Sequence, residues 1–159
     1  MRIFKIAQNT YYHGSYDSLP VGTILTPAKG NFMGTFSEEE MGWHYRLEKV
    51  KPPQLLSRNN CVYMCDNLND LDNAGASIDH VYIVEPLGKV EHHDLNWMGE
   101  IDMIMSEAYD NGIQETEETM EKVKQAAESY WNGTPHYNES VWEYLTTEAR
   151  IIEELNAIY

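Results

Sequence analysis

The sequence predicts an α+β protein, and three observations carry that expectation. Short runs of aromatic and β-branched residues recur at 10–13, 23–26, 60–65 and 80–86, bounded by turn-forming or polar residues. Apolar residues at three- and four-residue steps mark helix in two other stretches, about 38–49 and 97–131. The chain has 159 residues, 42% of them hydrophobic, which suits one domain with a core rather than a disordered tract.

Taken in order, residues 2–8 read as an edge strand or an extended lead-in. Thr10-Tyr11-Tyr12-His13 ends in a histidine, and Gly14 follows. With no Cβ there, the backbone can turn and another group can approach it closely. The turn Asp17-Ser18-Leu19-Pro20-Val21-Gly22 leads to a strand at 23–26, which Pro27 stops. The simplest local reading is a hairpin with a structural histidine. Residues 29–34 are loop by their glycines. Ser37-Glu38-Glu39-Glu40 has the form of a capping box. It opens a helix that carries Met41, His44 or Tyr45, and Leu47 inward, and Pro52-Pro53 ends it.

Asn60-Cys61-Val62-Tyr63-Met64-Cys65 is a short strand. Asp66 is placed to cap a helix at 67–74, before Gly75. His80-Val81-Tyr82-Ile83-Val84-Glu85-Pro86 is the strongest strand signal in the chain. Lys89-Val90-Glu91 pairs again, ahead of His92-His93-Asp94. Within 97–131, Thr116 or Thr119 serves as a cap. Met120, Val123, Ala127 and Tyr130 or Trp131 then face inward, and Glu117, Glu118, Glu121 and Glu128 outward. Residues 141–145 lead into a last strand at about 149–155, a stretch whose periodicity also suits a helix.

The formal net charge of −15 repels nucleic-acid backbones and anionic membranes, and it favours basic partners. Acidic residues crowd 38–40 and 100–128. No apolar run approaches the roughly 18–20 residues that span a bilayer. The opening Met1-Arg2-Ile3-Phe4-Lys5 has no signal-peptide character, so a cytoplasmic protein is expected. Cys61 and Cys65 make neither a zinc site nor a disulfide framework. They are expected as reduced thiols on one strand face, packed in the core. His92 and His93 point apart on a strand, so no metal is expected beside Asp94.

The order of several stretches resembles the rifamycin ADP-ribosyltransferases, small bacterial members of the ADP-ribosyltransferase fold. The matching pieces are Tyr11-Tyr12-His13-Gly14-Ser15, Leu19-Pro20-Val21-Gly22, Gly30-Asn31-Phe32 and Val62-Tyr63-Met64. Val81 through Glu91 and Tyr144 through Ile152 complete the set. Residues 35–56 and the acidic segment at about 97–135 lie outside it. The resemblance implies two packed, mainly antiparallel sheets with flanking helices, one domain over 1–159 with the acidic segment as an insertion, and NAD as cosubstrate. It gives His13 a hydrogen bond to a ribose hydroxyl, and it sets the Gly14 N–H and C=O on the nicotinamide carboxamide. Tyr63 stacks on the nicotinamide ring. Tyr12, Ser15, Asn31 and Phe32 fall in the NAD-binding stretches. The catalytic acid is Asp94, with one residue inserted relative to the family spacing, or Glu143. Glu143-Tyr144-Leu145 resembles the glutamate strand of the toxin and poly(ADP-ribose) polymerase branch.

Breaking the bond from nicotinamide to ribose builds positive charge on the sugar, which a nearby carboxylate stabilises. The cleft must exclude water, or plain hydrolysis results. The expectation is mono-ADP-ribosyl transfer from NAD to an acceptor, a protein with a basic surface. Two alternatives are transfer to a rifamycin-like small molecule and a catalytically silent acidic protein that blocks a basic partner.

Overall fold

The computed structural model describes residues 10–27, 42–74, 76–110 and 116–155. The expectations for 2–8, 29–34, the capping box at 37–40, Asn31 and Phe32 lie outside these residues. So do the inward positions proposed for Met41, His44 and Tyr45, since only the backbone is described at 42–45.

Seven strands and four helices alternate irregularly among the described residues. They are β1 (Tyr11–Ser15), β2 (Ile24–Leu25), α1 (Gly42–Lys49), β3 (Val62–Met64), α2 (Leu68–Asn73), β4 (His80–Pro86), β5 (Glu91–Asp94), α3 (Asn96–Asp110), α4 (Glu117–Trp131), β6 (Trp142–Thr146) and β7 (Ala149–Leu155). One sheet has the order β1-β4-β7-β2 and the other β3-β6-β5. Every pairing within them is antiparallel, so the protein is α+β with two antiparallel sheets.

Alternation in the strands builds the core between the sheets. Leu25, Tyr82, Val84, Ala149 and Ile151 of the four-stranded sheet pack against Val62 and Met64 of the three-stranded one. The three-stranded sheet turns its other face to the helices. There Leu47 of α1, Met98 and Ile101 of α3, and Val123, Ala126, Ala127, Tyr130 and Trp131 of α4 form a second core. The layers run sheet, sheet, helices. A small cluster of Cys65, Leu71 and Val81 seats α2 on the outer side of β1 and β4.

Helix α4 follows its sequence pattern except at Met120, expected inward and only half-buried. Thr116 is the N-cap and accepts from the Thr119 N–H, while Val123, Ala127, Tyr130 and Trp131 are buried. Glu117, Glu118, Glu121 and Glu128 are exposed. Helix α2 differs in its start. Asn67, not Asp66, is its N-cap and accepts from the Asn69 N–H. Asp66 accepts instead from the Tyr144 hydroxyl at 2.9 Å.

Strands β1 and β2 do not form a hairpin. β1 pairs with β4, and β2 pairs with β7. The Tyr82 hydroxyl accepts from the Leu19 N–H at 2.7 Å and donates to the Asp17 C=O at 3.1 Å. This pins the turn over β4, and the chain continues to the far side of β7. Gly22 completes the turn at φ 92°, and its N–H donates to the Ile151 C=O at 2.8 Å.

The thiols do not share one cluster. Cys65 packs with Leu71 and Val81, whereas the Cys61 sulfur sits 3.8 Å from the Arg58 C=O. Both are free and buried, and burial pushes each thiol up to about 12, so neither is a thiolate at neutral pH. No described helix is long and apolar enough to cross a membrane.

Two glycines give a paired test of these contacts. A Cβ at Gly14 would lie 2.0 Å from the Ser77 carbonyl oxygen, whereas one at Gly99 in α3 meets nothing within 4 Å. Gly14→Ala should lower unfolding free energy by about 1–3 kcal/mol. Gly99→Ala should raise it by about 0.5–1 kcal/mol through helix propensity. Urea denaturation of both variants checks the pair, and equal stabilities would contradict the packing at Gly14.

Candidate functional site

Among the described residues one backbone bridge joins the two sheets. The Tyr12 N–H donates to the Cys65 C=O at 2.7 Å, and the Cys65 N–H to the Tyr12 C=O at 2.9 Å. In an antiparallel ladder the next such pair would be Gly14 with Tyr63, two residues on in each strand. That pair is not formed. The Tyr63 C=O is taken by the His13 side chain, whose Nδ1 lies 2.8 Å away. Alternation along β1 aims the Gly14 N–H and C=O away from β4, into the gap left by the splaying strands. A donor and an acceptor therefore stand side by side at the strand edge, with no partner among the described residues. The Ser77 carbonyl closes the face of β1 at this point, so the close approach that Gly14 permits is made by the chain itself.

His13 is only 7% exposed. Its Nδ1 faces a carbonyl oxygen and so carries the proton, leaving Nε2 as an acceptor in the neutral ring. Burial lowers its pKa, and the bond to the Tyr63 carbonyl opposes that only in part. The imidazole is neutral at physiological pH.

Tyr63 points to the other face of its sheet, toward the helices. Its hydroxyl donates to the Arg58 C=O, and the Arg58 guanidinium lies over its ring, 4.8 Å from the centroid. Burial pushes its phenol well above the ordinary value, with Arg58 opposing, so the ring is no proton acceptor. His13 and Tyr63 are thus brought together, through a main-chain carbonyl rather than ring to ring.

Both candidate acids are buried. Asp94 is 0% exposed and ties the start of α3 to the connection between α4 and β6. Its Oδ1 accepts from the N–H groups of Asn96 at 3.0 Å and Val141 at 3.1 Å, and its Oδ2 from that of His136 at 2.8 Å. No contact among the described residues joins it to His13 or Tyr63. Glu143 is 2% exposed. Both its oxygens contact the Arg58 Nη1, and the Tyr130 hydroxyl donates to Oε2 at 2.9 Å. Through Arg58 it reaches Tyr63. Burial alone would depress the guanidinium, but the Glu143 charge overrides it and holds the pKa well above normal.

Sequence reasoning missed Arg58 and the hydroxyl of Tyr130, which link Glu143 to Tyr63. The available signal was register. Glu91, His93, Glu143 and Leu145 share one face of β5 and β6. Glu143 on an inward face demands a cation, because an unpaired buried carboxylate costs several kcal/mol.

His93 completes this interior. Its Nδ1 donates to the Tyr130 C=O at 2.7 Å, and its ring stacks on Tyr130 at 4.5 Å. Among the described residues Nε2 has no hydrogen-bond partner, and it lies 3.9 Å from the Glu91 Oε1. Glu91 is held by the Leu56 N–H at 2.8 Å and by the Lys89 ammonium at 2.7 Å. His92, on the opposite face, is exposed against Trp142 at 5.3 Å. Of the remaining resemblance-derived residues, Tyr12 packs with the cluster at α2, and Ser15 accepts from the Asp17 N–H at 3.0 Å. Tyr12 also borders an open depression of about 550 Å³ with Asp66, Asn67, Leu68 and Asn69.

Two expectations follow from these environments. Burial is the leading cause of a lowered pKa in both His13 and His93. The folded state therefore holds both neutral, and their contribution to stability is full above the unfolded value of about 6.5. It is lost as pH falls below that value toward the lowered folded ones. Melting temperature should drop between pH 7.5 and 5, and His93→Gln should flatten the slope; equal slopes would exclude His93. Asp94→Ala leaves three N–H groups without their acceptor and should lower unfolding free energy by about 3 kcal/mol. Unchanged stability with lost turnover would instead assign Asp94 to catalysis. No known protein-family profile matches this chain, and a comparison with curated proteins finds no relative.

Proposed function

We propose that the protein is an NAD-dependent mono-ADP-ribosyltransferase built on the ADP-ribosyltransferase fold, with the site at the splay between β1 and β3. The observation that carries the reading is the N–H and C=O of Gly14, directed away from β4 and unpaired among the described residues, beside a neutral His13. A primary carboxamide presents one acceptor and one donor, and it complements such a pair. Nicotinamide carries that group. The His13 Nε2, an acceptor in this tautomer, takes a hydroxyl of the adjoining ribose. Tyr63 supplies a flat ring for the departing nicotinamide, and no metal enters the scheme. A leaving group held at its carboxamide can be twisted from the sugar as positive charge builds there.

The acceptor in this reading is a protein with a basic surface. The chain carries a net charge of −15, and α4 exposes Glu117, Glu118, Glu121 and Glu128. Lys122 and Lys124 sit within 4 Å of Glu118 and Glu128, so part of that field is neutralised on the helix itself. Such charge raises the encounter rate with a basic partner more than the final affinity.

Release of nicotinamide from labelled NAD tests the reading directly. Wild-type protein should release it, and NAD should raise the melting temperature. His13→Ala and Tyr63→Ala should each reduce both effects, turnover by about tenfold or more. Full NAD protection in both variants would remove the site from this part of the fold. Label recovered on a rifamycin-like molecule rather than on protein would reassign the acceptor.

A further inference from the structure

We propose that Arg58, backed by Glu143, is the positioning residue for Tyr63 in the reaction assigned above, an inference that rests on that reading. Arg58 holds the tyrosine at two points. Its backbone C=O accepts from the Tyr63 hydroxyl at one end of the ring, and its guanidinium covers one ring face at 4.8 Å. A flat ligand cannot stack on the ring face that Arg58 covers. Arg58 therefore helps to set both the direction of the ring and the side it can offer.

Arg58 is itself held from three elements. Nη1 contacts both Glu143 oxygens on β6 and lies 3.2 Å from the Tyr130 hydroxyl of α4. The Arg58 N–H donates to the Glu48 Oε1 of α1 at 2.7 Å. Arg58 is 3% exposed and Glu143 2%, so neither meets a substrate, and both act through Tyr63. A planar guanidinium can lie flat on the ring while its edge meets a carboxylate. A lysine ammonium at the same place keeps the charge and loses the flat contact. The arrangement gives Glu143 a task in turnover without contact with the sugar. Misplacement of a stacking ring by about an ångström costs a large factor in rate, because the leaving group is then poorly oriented.

The test separates positioning from folding. Arg58→Lys keeps the ion pair and removes the planar contact. Arg58→Met with Glu143→Leu removes both charges at once, so no unpaired ion stays buried. Tyr63→Phe removes the hydroxyl, and with it the bond to the Arg58 C=O and the contact with the Cys61 thiol, while the ring stays. In each variant that melts within a few degrees of wild type, kcat for nicotinamide release should fall about tenfold or more, while KM for NAD changes much less. A readout without NAD accompanies this. The ring resonances of Tyr63 in isotopically labelled protein should move on Arg58→Lys at unchanged melting temperature. Unmoved resonances, or wild-type kcat in a folded variant, overturn the positioning role. If the resonances move while wild-type protein releases no nicotinamide, the proposed reaction falls and the hold of Arg58 on Tyr63 stands.

Discussion

The bridge between Tyr12 and Cys65 is the constraint on which the candidate site depends. It is the only backbone pairing between the two sheets among the described residues, and it fixes where they part. Immediately beyond it, the imidazole of His13 replaces a ladder bond by binding the Tyr63 carbonyl. A side chain wedged into the ladder keeps the strands apart and satisfies one of the groups the separation exposes. The remaining groups, on Gly14, are left at an edge without a partner among the described residues. A longer run of bridges would have merged the sheets and closed this opening.

The second organising feature is the polar interior between the three-stranded sheet and the helices. Arg58, Glu91, His93 and Glu143 are all at most 7% exposed. A layer of this kind is a poor source of stability, since desolvation offsets most of the Coulombic gain. It does restrict geometry. An apolar interface can slide with small loss, whereas a guanidinium, two carboxylates, an imidazole and a phenol have few arrangements that satisfy them together. The Trp131 indole adds a further tie, donating to the Leu47 C=O at 2.8 Å and so fixing α4 against α1.

How much of this was legible in the sequence depended on whether local pattern or distant partners decided the outcome. Strand β4 was legible because its β-branched run is buried at Val81, Tyr82 and Val84, and Pro86 ends it. The inward face of α4 followed from its spacing and its Thr116 cap. The pairing of β1 and β2 was not legible. A turn with Pro20 and Gly22 looks like a hairpin turn, and it is distant partners, the Tyr82 hydroxyl and the Ile151 backbone, that divert it. Asn67 displaced Asp66 as the cap because both suit the position and Tyr144 claimed Asp66. At the site, His13, Gly14 and Tyr63 were named by their order along the chain. Arg58 was not, since a loop arginine carries no local sign that it will be buried.

Strands β6 and β7 are separated only by Thr147 and Glu148, yet they belong to different sheets. Each is an interior strand of its sheet, β6 between β3 and β5, and β7 between β4 and β2. One continuous segment of the chain is therefore the keystone of both layers. During synthesis neither sheet can close until residues 142–155 have emerged. Until then β3, β5 and β2 have no partner within their own sheets, a long-range dependence that slows folding. Once the segment is in place, both sheets close in one event, and the short link between β6 and β7 leaves little freedom for one to form without the other.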